Sequence, residues 1–137
     1  AFPSKPYPGR NVPDLCGLVG MAGNDADYIM LPIPSGCEID RDNSYHDGTR
    51  NDDGWGVFSG TSAAAPQLAA VCALMIEKNP SLTPGEIKNA LRRTCRDVVK
   101  GSGNPASNEG TPVPAGPGID GATGAGFVDA FAACNQV

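Results

Sequence analysis

The sequence predicts an α/β fold in which one buried helix and one surface helix pack with short strands. Residues 62–78 are apolar on almost every side and carry polar groups only near their ends, which is typical of a helix at the centre of a domain. Residues 84–98 instead repeat apolar side chains at helical spacing, as a surface helix does. Three apolar runs before residue 59 have the length of strands.

The strand candidates come first along the chain. Residues 15–19 are a short apolar run suited to a buried strand, and residues 28–33 are the second candidate. Pro32 within the second run places that strand at an edge or ends it early. Residues 55–58 are the third candidate, and residues 34–54 before them form a polar, acidic excursion.

Two helices follow, and the second has a defined start. Thr83 and Glu86 have the spacing of a capping box, and Pro84 stands just inside the helix. Residues 101–126 contain eight Gly and four Pro without periodicity, so they are predicted to be loops. Residues 127–134 are expected to form a last short helix. No repeat or composition break divides the chain into two domains.

The composition of the chain argues against some classes of binding partner. The 137 residues carry a formal charge of −5, and the 10 Lys and Arg residues form no cluster, which argues against nucleic acid. No apolar run reaches membrane-spanning length, and the first residues lack the pattern of a signal peptide. We therefore expect neither a nucleic-acid partner nor a membrane.

The cysteines are an odd number in a short chain. They contain no C-x-x-C pair and no Cys/His zinc pattern, so they indicate no metal site. One or two disulfides with a free thiol would suit an oxidising compartment, and the sequence leaves the pairing open. Cys72, inside the apolar helix, is expected to be a small buried hydrophobe. The cysteines are Cys16, Cys37, Cys72, Cys95 and Cys134.

Ser62 stands where a strand gives way to the apolar helix. Phe58 ends the strand, Gly60 allows a turn, and Ser62 opens the helix. Its backbone N–H therefore belongs to the unpaired donors of a helix N-terminus, where negative charge is favoured. A nucleophile of acyl transfer needs such a donor beside the oxyanion that it creates. A plain N-cap is the common alternative, but a cap needs neither a helix buried on all sides nor the three Ala residues that follow.

The segment SGTSAAAP, residues 59–66, resembles the nucleophile motif Gly-Thr-Ser-x-x-x-Pro of subtilases, the subtilisin-like serine peptidases. Residues 11–17, 79–87 and 124–131 resemble the strand before that motif, the surface helix after it and the end of the catalytic domain. The resemblance implies that residues 1–137 are the C-terminal part of one such domain, with part of its parallel sheet around the central helix.

The resemblance also implies roles for single residues. Ser62 would be the nucleophile and its N–H one donor of the oxyanion hole, with Thr61 supporting that hole. Ala63 stands where subtilisins commonly carry Met, which implies low sensitivity to inactivation by peroxide. The implied reaction is hydrolysis of peptide bonds through an acyl-enzyme, and it requires no cofactor.

The Asp, the His and the oxyanion Asn of a subtilase site have no match in this sequence. The one His is His46, which has the wrong spacing to Ser62 and is followed by a loop, so we interpret it as a surface residue. We therefore expect a second polypeptide, an N-terminal fragment of the same precursor, to supply these groups. Without it this chain is expected to be inactive, with the apolar helix uncovered on one side. The family default is a secreted or extracytoplasmic enzyme that acts on polypeptides.

Other interpretations remain open at this point. The carboxylates of residues 38–53 suggest calcium, but they lack EF-hand spacing, so a solvated acidic loop is favoured. Residues 118–124 resemble the calcium-binding end of sedolisins, acid-acting serine peptidases that share Gly-Thr-Ser. A pseudopeptidase, in which the fold serves binding or assembly, would follow if the partner lacked Asp or His. A structural domain with a chance motif is the last alternative.

Overall fold

A computed structural model of the protein describes residues 2–3, 7–20, 28–41, 48–105 and 110–137. The chain divides into two compact units, Ala1–Gly17 with Gln67–Val137, and Leu18–Pro66. The elements in chain order are β1 (Phe2–Pro3), β2 (Asn11–Val12), β3 (Ile29–Pro32), β4 (Trp55–Phe58), α1 (Thr61–Lys78), α2 (Pro84–Thr94), β5 (Ser102–Gly103), β6 (Val113–Pro114) and α3 (Ala130–Asn135). Residues 38–41 are helical as well. The architecture is mixed α/β, as predicted.

The core of the larger unit is built mainly from helices α1 and α2. Val71 and Met75 of α1 are buried, and Met75 is fully inaccessible to solvent. Ile87 and Leu91 of α2 belong to the same apolar cluster. Since residues four apart lie on one side of a helix, α2 buries one stripe and exposes the other. The predicted surface helix is therefore confirmed.

Helix α2 begins with the capping box that its sequence predicts. The Glu86 backbone N–H donates to the Thr83 hydroxyl at 3.3 Å, and the Thr83 N–H donates to the Glu86 carboxylate at 2.8 Å. Pro84 occupies the first helical position, where no hydrogen bond from its nitrogen is required. Two N–H groups that the first turn cannot satisfy thus find side-chain acceptors, and this sets the start of the helix.

Strand pairing differs from the parallel sheet that the family resemblance implies. The sheets have two strands each, β1 with β2, β3 with β4 and β5 with β6, and every pair is antiparallel. Within the described residues, the one parallel pairing is an isolated bridge between Cys16 and Phe127. Parallel neighbours need a long crossover connection, whereas each of these short strands finds an antiparallel partner that satisfies its few backbone groups.

The prediction of a buried strand at residues 15–19 is wrong. Cys16 forms the bridge to Phe127, but Leu18 and Val19 are 51% and 38% exposed. The Cys16 N–H donates to the Gly126 carbonyl, and the Cys16 carbonyl accepts from the Val128 N–H. The partner segment then turns into α3, and within the described parts of the chain no strand pairs with the rest of the apolar run.

Glycines at the end of the larger unit allow two backbones to approach closely. A Cβ on Gly126 would lie 2.2 Å from the Arg96 carbonyl oxygen, and one on Gly124 would lie 2.5 Å from the Asp14 carbonyl oxygen. Real Cβ atoms do not approach oxygen so closely, so only glycine fits at either position. The Gly-x-Gly pattern near the C-terminus therefore has a packing cause.

The smaller unit contains the hairpin of β3 and β4, at the positions that the sequence predicts. Ile29 lies opposite Phe58, and Pro32 lies opposite Trp55. Pro32 is the last residue of its strand, where a missing N–H is tolerated. Both strand predictions are confirmed, and β4 ends at the residue expected to precede the serine turn.

Helix α1 is buried on one side and exposed on the other. Val71 and Met75 are buried, but Leu74 is 50% exposed and Ile76 is 43% exposed. We define the apolar face of α1 as Ala69, Ala70, Ala73, Leu74 and Ile76, all of them exposed. The core packs against one side of the helix only, which agrees with the expectation that this chain alone leaves the apolar helix uncovered on one side. None of the described helices has both the length and the apolar character needed to cross a membrane.

All five cysteines lie within the described residues and are free, partly buried thiols. Cys72 and Cys134 pack against the core. Cys72 thus packs as a hydrophobic residue, as predicted, but it is partly and not fully buried. Burial raises the pKa of the Cys16 and Cys95 thiols above the ordinary value of 9.0. Both are therefore protonated near neutral pH and are poor nucleophiles.

Candidate active site

Ser62 lies in the first turn of α1, directly after the turn that follows β4. Gly60 in that turn has a φ of 113°, a conformation that side chains disfavour. The Ser59 hydroxyl donates to the Gly20 carbonyl and ties the turn to another segment of the same unit. Ser62 is exposed, whereas Ala63 beside it is buried. The local fold thus leaves the serine at the surface on a fixed turn.

The backbone around Ser62 provides hydrogen-bond donors. The Ala63 and Ala64 amides both donate to the Gly60 carbonyl, at 3.0 Å and 3.3 Å. These are the first bonds of the helix, so the N–H groups of Thr61 and Ser62 have no acceptor within it. The helix dipole adds partial positive charge at the same end. Both the free N–H donors and the helix dipole would stabilise a negative charge that develops beside Ser62.

Pro66 also affects the local structure of this site, an effect that the sequence analysis did not predict. It lies inside α1, and it has no N–H to donate to the carbonyl four residues earlier, which is that of Ser62. The first turn is therefore joined to the rest of the helix by one hydrogen bond fewer than usual. The motif itself signals this feature, since its last residue is the proline.

The other predicted site residues have different outcomes. Thr61 is the first residue of α1 and is exposed beside Ser62 in the chain. Its support of an oxyanion hole stays a prediction. His46 lies outside the described residues, so its interpretation as a surface residue stays a prediction as well.

The acidic segment before β4 uses a carboxylate to shape a turn. The Asp53 side chain accepts from the backbone N–H of Arg50 at 2.9 Å and from that of Trp55 at 3.0 Å. Among the described residues, His, Cys, Asp and Glu side chains form no group of three that could hold a metal ion. The acidic residues of this segment that lie outside the described part are Asp42 and Asp47.

Asp120 lies in the segment that resembles a sedolisin calcium site. Its carboxylate accepts from the backbone N–H groups of Gly116, Ala122 and Thr123, each at 2.8 Å. These bonds, that from Gly116 foremost, hold the pKa of Asp120 below its ordinary value of 3.8. Both carboxylate oxygens are thus engaged by the loop itself, which favours a structural role.

Residues 55–62 thus form a strand, a glycine turn and the start of a helix whose first turn carries an exposed serine. The model of the subtilase family matches residues 8–126, a range that includes this arrangement. The chain belongs to the subtilase family. The resemblance to subtilases is confirmed, and the sedolisin interpretation stays an alternative.

Three known proteins illustrate the relationship. Serine protease AprX of Bacillus subtilis is 34% identical over 74 residues, 51% of this chain and 17% of that protein. Alkaline elastase YaB of Bacillus sp. strain YaB is 42% identical over 45 residues, 33% of this chain and 12% of that protein. Subtilisin-like protease SBT2.6 of Arabidopsis thaliana is 42% identical over 53 residues, 39% of this chain and 6% of that protein. This chain therefore spans a small fraction of the length of its relatives.

One solved structure is also similar. The psychrophilic subtilisin-like protease Apa1 of the Antarctic psychrotroph Pseudoalteromonas sp. AS-11 aligns with 62% of this chain and 16% of its own length. The TM-score is 0.48 and the sequence identity is 24%.

Proposed function

We propose that this chain carries the nucleophile of a serine endopeptidase and that Ser62 forms the acyl-enzyme. The observation that carries the proposal is an exposed serine whose backbone N–H, like that of Thr61, has no acceptor inside α1. Membership of the subtilase family supports the same reaction, and it supports a secreted or extracytoplasmic enzyme that acts on polypeptides. The chemistry needs no cofactor.

The proposed reaction has two steps. The Ser62 hydroxyl oxygen attacks the scissile carbonyl carbon while a general base removes its proton. The carbonyl oxygen becomes an oxyanion, which the Ser62 N–H stabilises at the positive end of α1, with Thr61 in support. The peptide C–N bond then breaks, and the base returns the proton to the leaving amine. In the second step water attacks the acyl ester, and the proton that it loses passes through the base to Ser62.

We propose that the base, its orienting Asp and the oxyanion Asn come from a second polypeptide, an N-terminal fragment of the same precursor. The apolar face of α1 supports this, because Leu74 and Ile76 lie 50% and 43% exposed in a stripe with three Ala residues. Removing apolar surface from water contributes about 25 cal/mol per Å² in favour of assembly, against which the entropic cost of association acts. The companion polypeptide would therefore cover this face and complete the site, and this chain alone would be inactive.

The test is intact-mass analysis of the native protein after reaction with a fluorophosphonate serine probe. We expect this chain to gain the mass of the probe and the Ser62→Ala variant to lose that gain. A second chain should be present in the same spectrum. Ser81→Ala removes another exposed serine, whose hydroxyl donates to Asn79, and it is the matched control that should remain labelled.

Each contrary outcome has its own meaning. A second chain beside an unlabelled Ser62 would contradict the peptidase and favour a pseudopeptidase that serves binding or assembly. A labelled chain that runs as a compact, monodisperse monomer would contradict the proposed companion. Labelling that persists in Ser62→Ala would assign the nucleophile to another residue.

A further inference from the structure

Asp40 is the most deeply buried carboxylate among the described residues. It belongs to the helical residues 38–41 and is 1% exposed. Its Oδ2 atom accepts from the backbone N–H of Gly36 at 2.9 Å and from that of Gly54 at 3.2 Å. Its Oδ1 atom is buried and has no hydrogen-bond partner among the described residues. A buried carboxylate is costly unless its bonds repay the loss of water, so its place in the fold requires a reason.

The two bonds to Asp40 join the ends of the β3–β4 hairpin. Gly36 follows β3 and Gly54 directly precedes β4. Their φ angles are 77° and 79°, in the left-handed region that glycine adopts without strain. The Gly54 carbonyl in turn accepts from the Ile33 N–H at 2.9 Å. One oxygen of Asp40 thus holds the chain where it leaves β3 and where it enters β4.

β4 connects this point to Ser62 through a short, fully paired strand. All four of its residues have partners on β3, from Trp55 opposite Pro32 to Phe58 opposite Ile29. The turn then follows, and Ser62 comes four residues after the strand ends. Because β4 is held to β3 along its whole length, we expect a shift at its start to reach the turn that carries the serine.

We propose that Asp40 is a positioning residue of the active site, which sets the placement of Ser62 through β4 without touching substrate. This proposal rests on the function proposed for Ser62. The unpartnered Oδ1 adds a specific expectation. Since only one oxygen accepts hydrogen bonds, the role needs an acceptor at that position and does not need the negative charge.

The experiment compares Asp40→Ala and Asp40→Asn with the wild type in the native protein. Asp40→Ala should slow the maximal rate of fluorophosphonate labelling at Ser62 by about tenfold, because the two hydrogen bonds from Gly36 and Gly54 lose their acceptor. The probe concentration that gives half the maximal rate should stay unchanged. Asp40→Asn keeps the acceptor and should label within about twofold of the wild-type rate. Glu38→Ala removes an exposed carboxylate of the same helical residues and is the matched control.

Amide hydrogen exchange provides a readout that does not depend on activity. In Asp40→Ala the hydrogen-bonded amides of residues 54–58 and of Ala63 and Ala64 should exchange faster, while those of α2 stay unchanged and Asp40→Asn matches the wild type. If the exchange rates change in this way but Ser62 is never labelled, the proposed function is overturned, whereas the placement of Ser62 by Asp40 is supported. Wild-type labelling of Asp40→Ala, or wild-type exchange at its Ala63 and Ala64 amides, which donate to the Gly60 carbonyl of the serine turn, would overturn the positioning role. An Asp40→Asn variant that behaves like Asp40→Ala would overturn the acceptor-only role.

Discussion

Two kinds of glycine can be distinguished at the scale of single residues. Gly126 has a φ of 114°, and a Cβ there would lie 2.2 Å from the Arg96 carbonyl oxygen. Gly118 has a φ of 81°, yet nothing lies within 4 Å of a Cβ built on it. The first glycine is required by contact and conformation together, and the second by conformation alone.

We predict that Gly126→Ala destabilises the protein by more than about 3 kcal/mol, because the Arg96 backbone must move to admit the methyl group. Gly118→Ala should cost about 1–2 kcal/mol, which is the penalty of the left-handed conformation alone. Urea denaturation of both variants measures the difference. Equal losses of unfolding free energy in the two variants would show that the contact with Arg96 does not contribute to the destabilisation.

At the scale of elements, helix α1 combines a packed face with an open one. Met75 is fully buried in the core, whereas Leu74, the preceding residue, is 50% exposed. Consecutive residues of a helix point about 100° apart, so one step along the chain passes from the core to the apolar face of α1. The two residues should therefore report on different interactions, internal packing for Met75 and assembly for Leu74.

We predict that Met75→Ala lowers the free energy of unfolding by about 2–5 kcal/mol, because it leaves a cavity in the core. Leu74→Asp should instead release the companion polypeptide, because it puts a charge into the proposed interface. Denaturation and size-exclusion chromatography measure the two effects. Glu77→Ala, at an exposed position of the same helix, should leave the assembly intact. A Leu74→Asp protein that kept its companion would place the interface elsewhere.

At the scale of the whole molecule, carboxylates join distant segments of the larger unit. Asp14 bonds to Arg10 and, at 2.9 Å, to Lys88 of α2. Asp129 bonds to Arg96 at 2.7 Å. Burial acts to raise the pKa of Asp14, but the hydrogen bonds from Lys88 and Arg10 outweigh it and lower the pKa below 3.8. A hydrogen bond from the first turn of α3, and then that from Arg96, lowers the pKa of Asp129.

We predict that stability falls at acidic pH. A carboxyl whose pKa is lowered on folding stabilises the protein above its unfolded pKa, and this contribution is lost as the pH falls through the folded pKa. The free energy of unfolding should thus be nearly constant from about pH 7 to 5 and decline below about pH 4. Asp120→Asn should make that decline shallower, because it removes one of these groups. Urea titrations at each pH measure the profile, and an unchanged slope in Asp120→Asn would contradict the prediction.

Several features could be predicted because their partners lie close together in the chain. The capping box needs only Thr83 and Glu86, and the serine turn needs only the few residues from Phe58 to Ser62. The strand predicted at residues 15–19 failed for the opposite reason. Its one bridge joins Cys16 to Phe127, far along the chain. The local sequence does not show over how many residues two such distant segments pair.

By itself the sequence determined the two main helices, the serine at the start of α1 and the likeness to subtilases, because periodicity, capping and the motif are local properties. Only the tertiary structure decided which side of α1 is covered and which glycines lie in close contact with the backbone of another segment. It also decided that Asp40 is buried between Gly36 and Gly54. These outcomes depend on close packing between segments that are distant in the chain, and composition alone does not specify which segments meet.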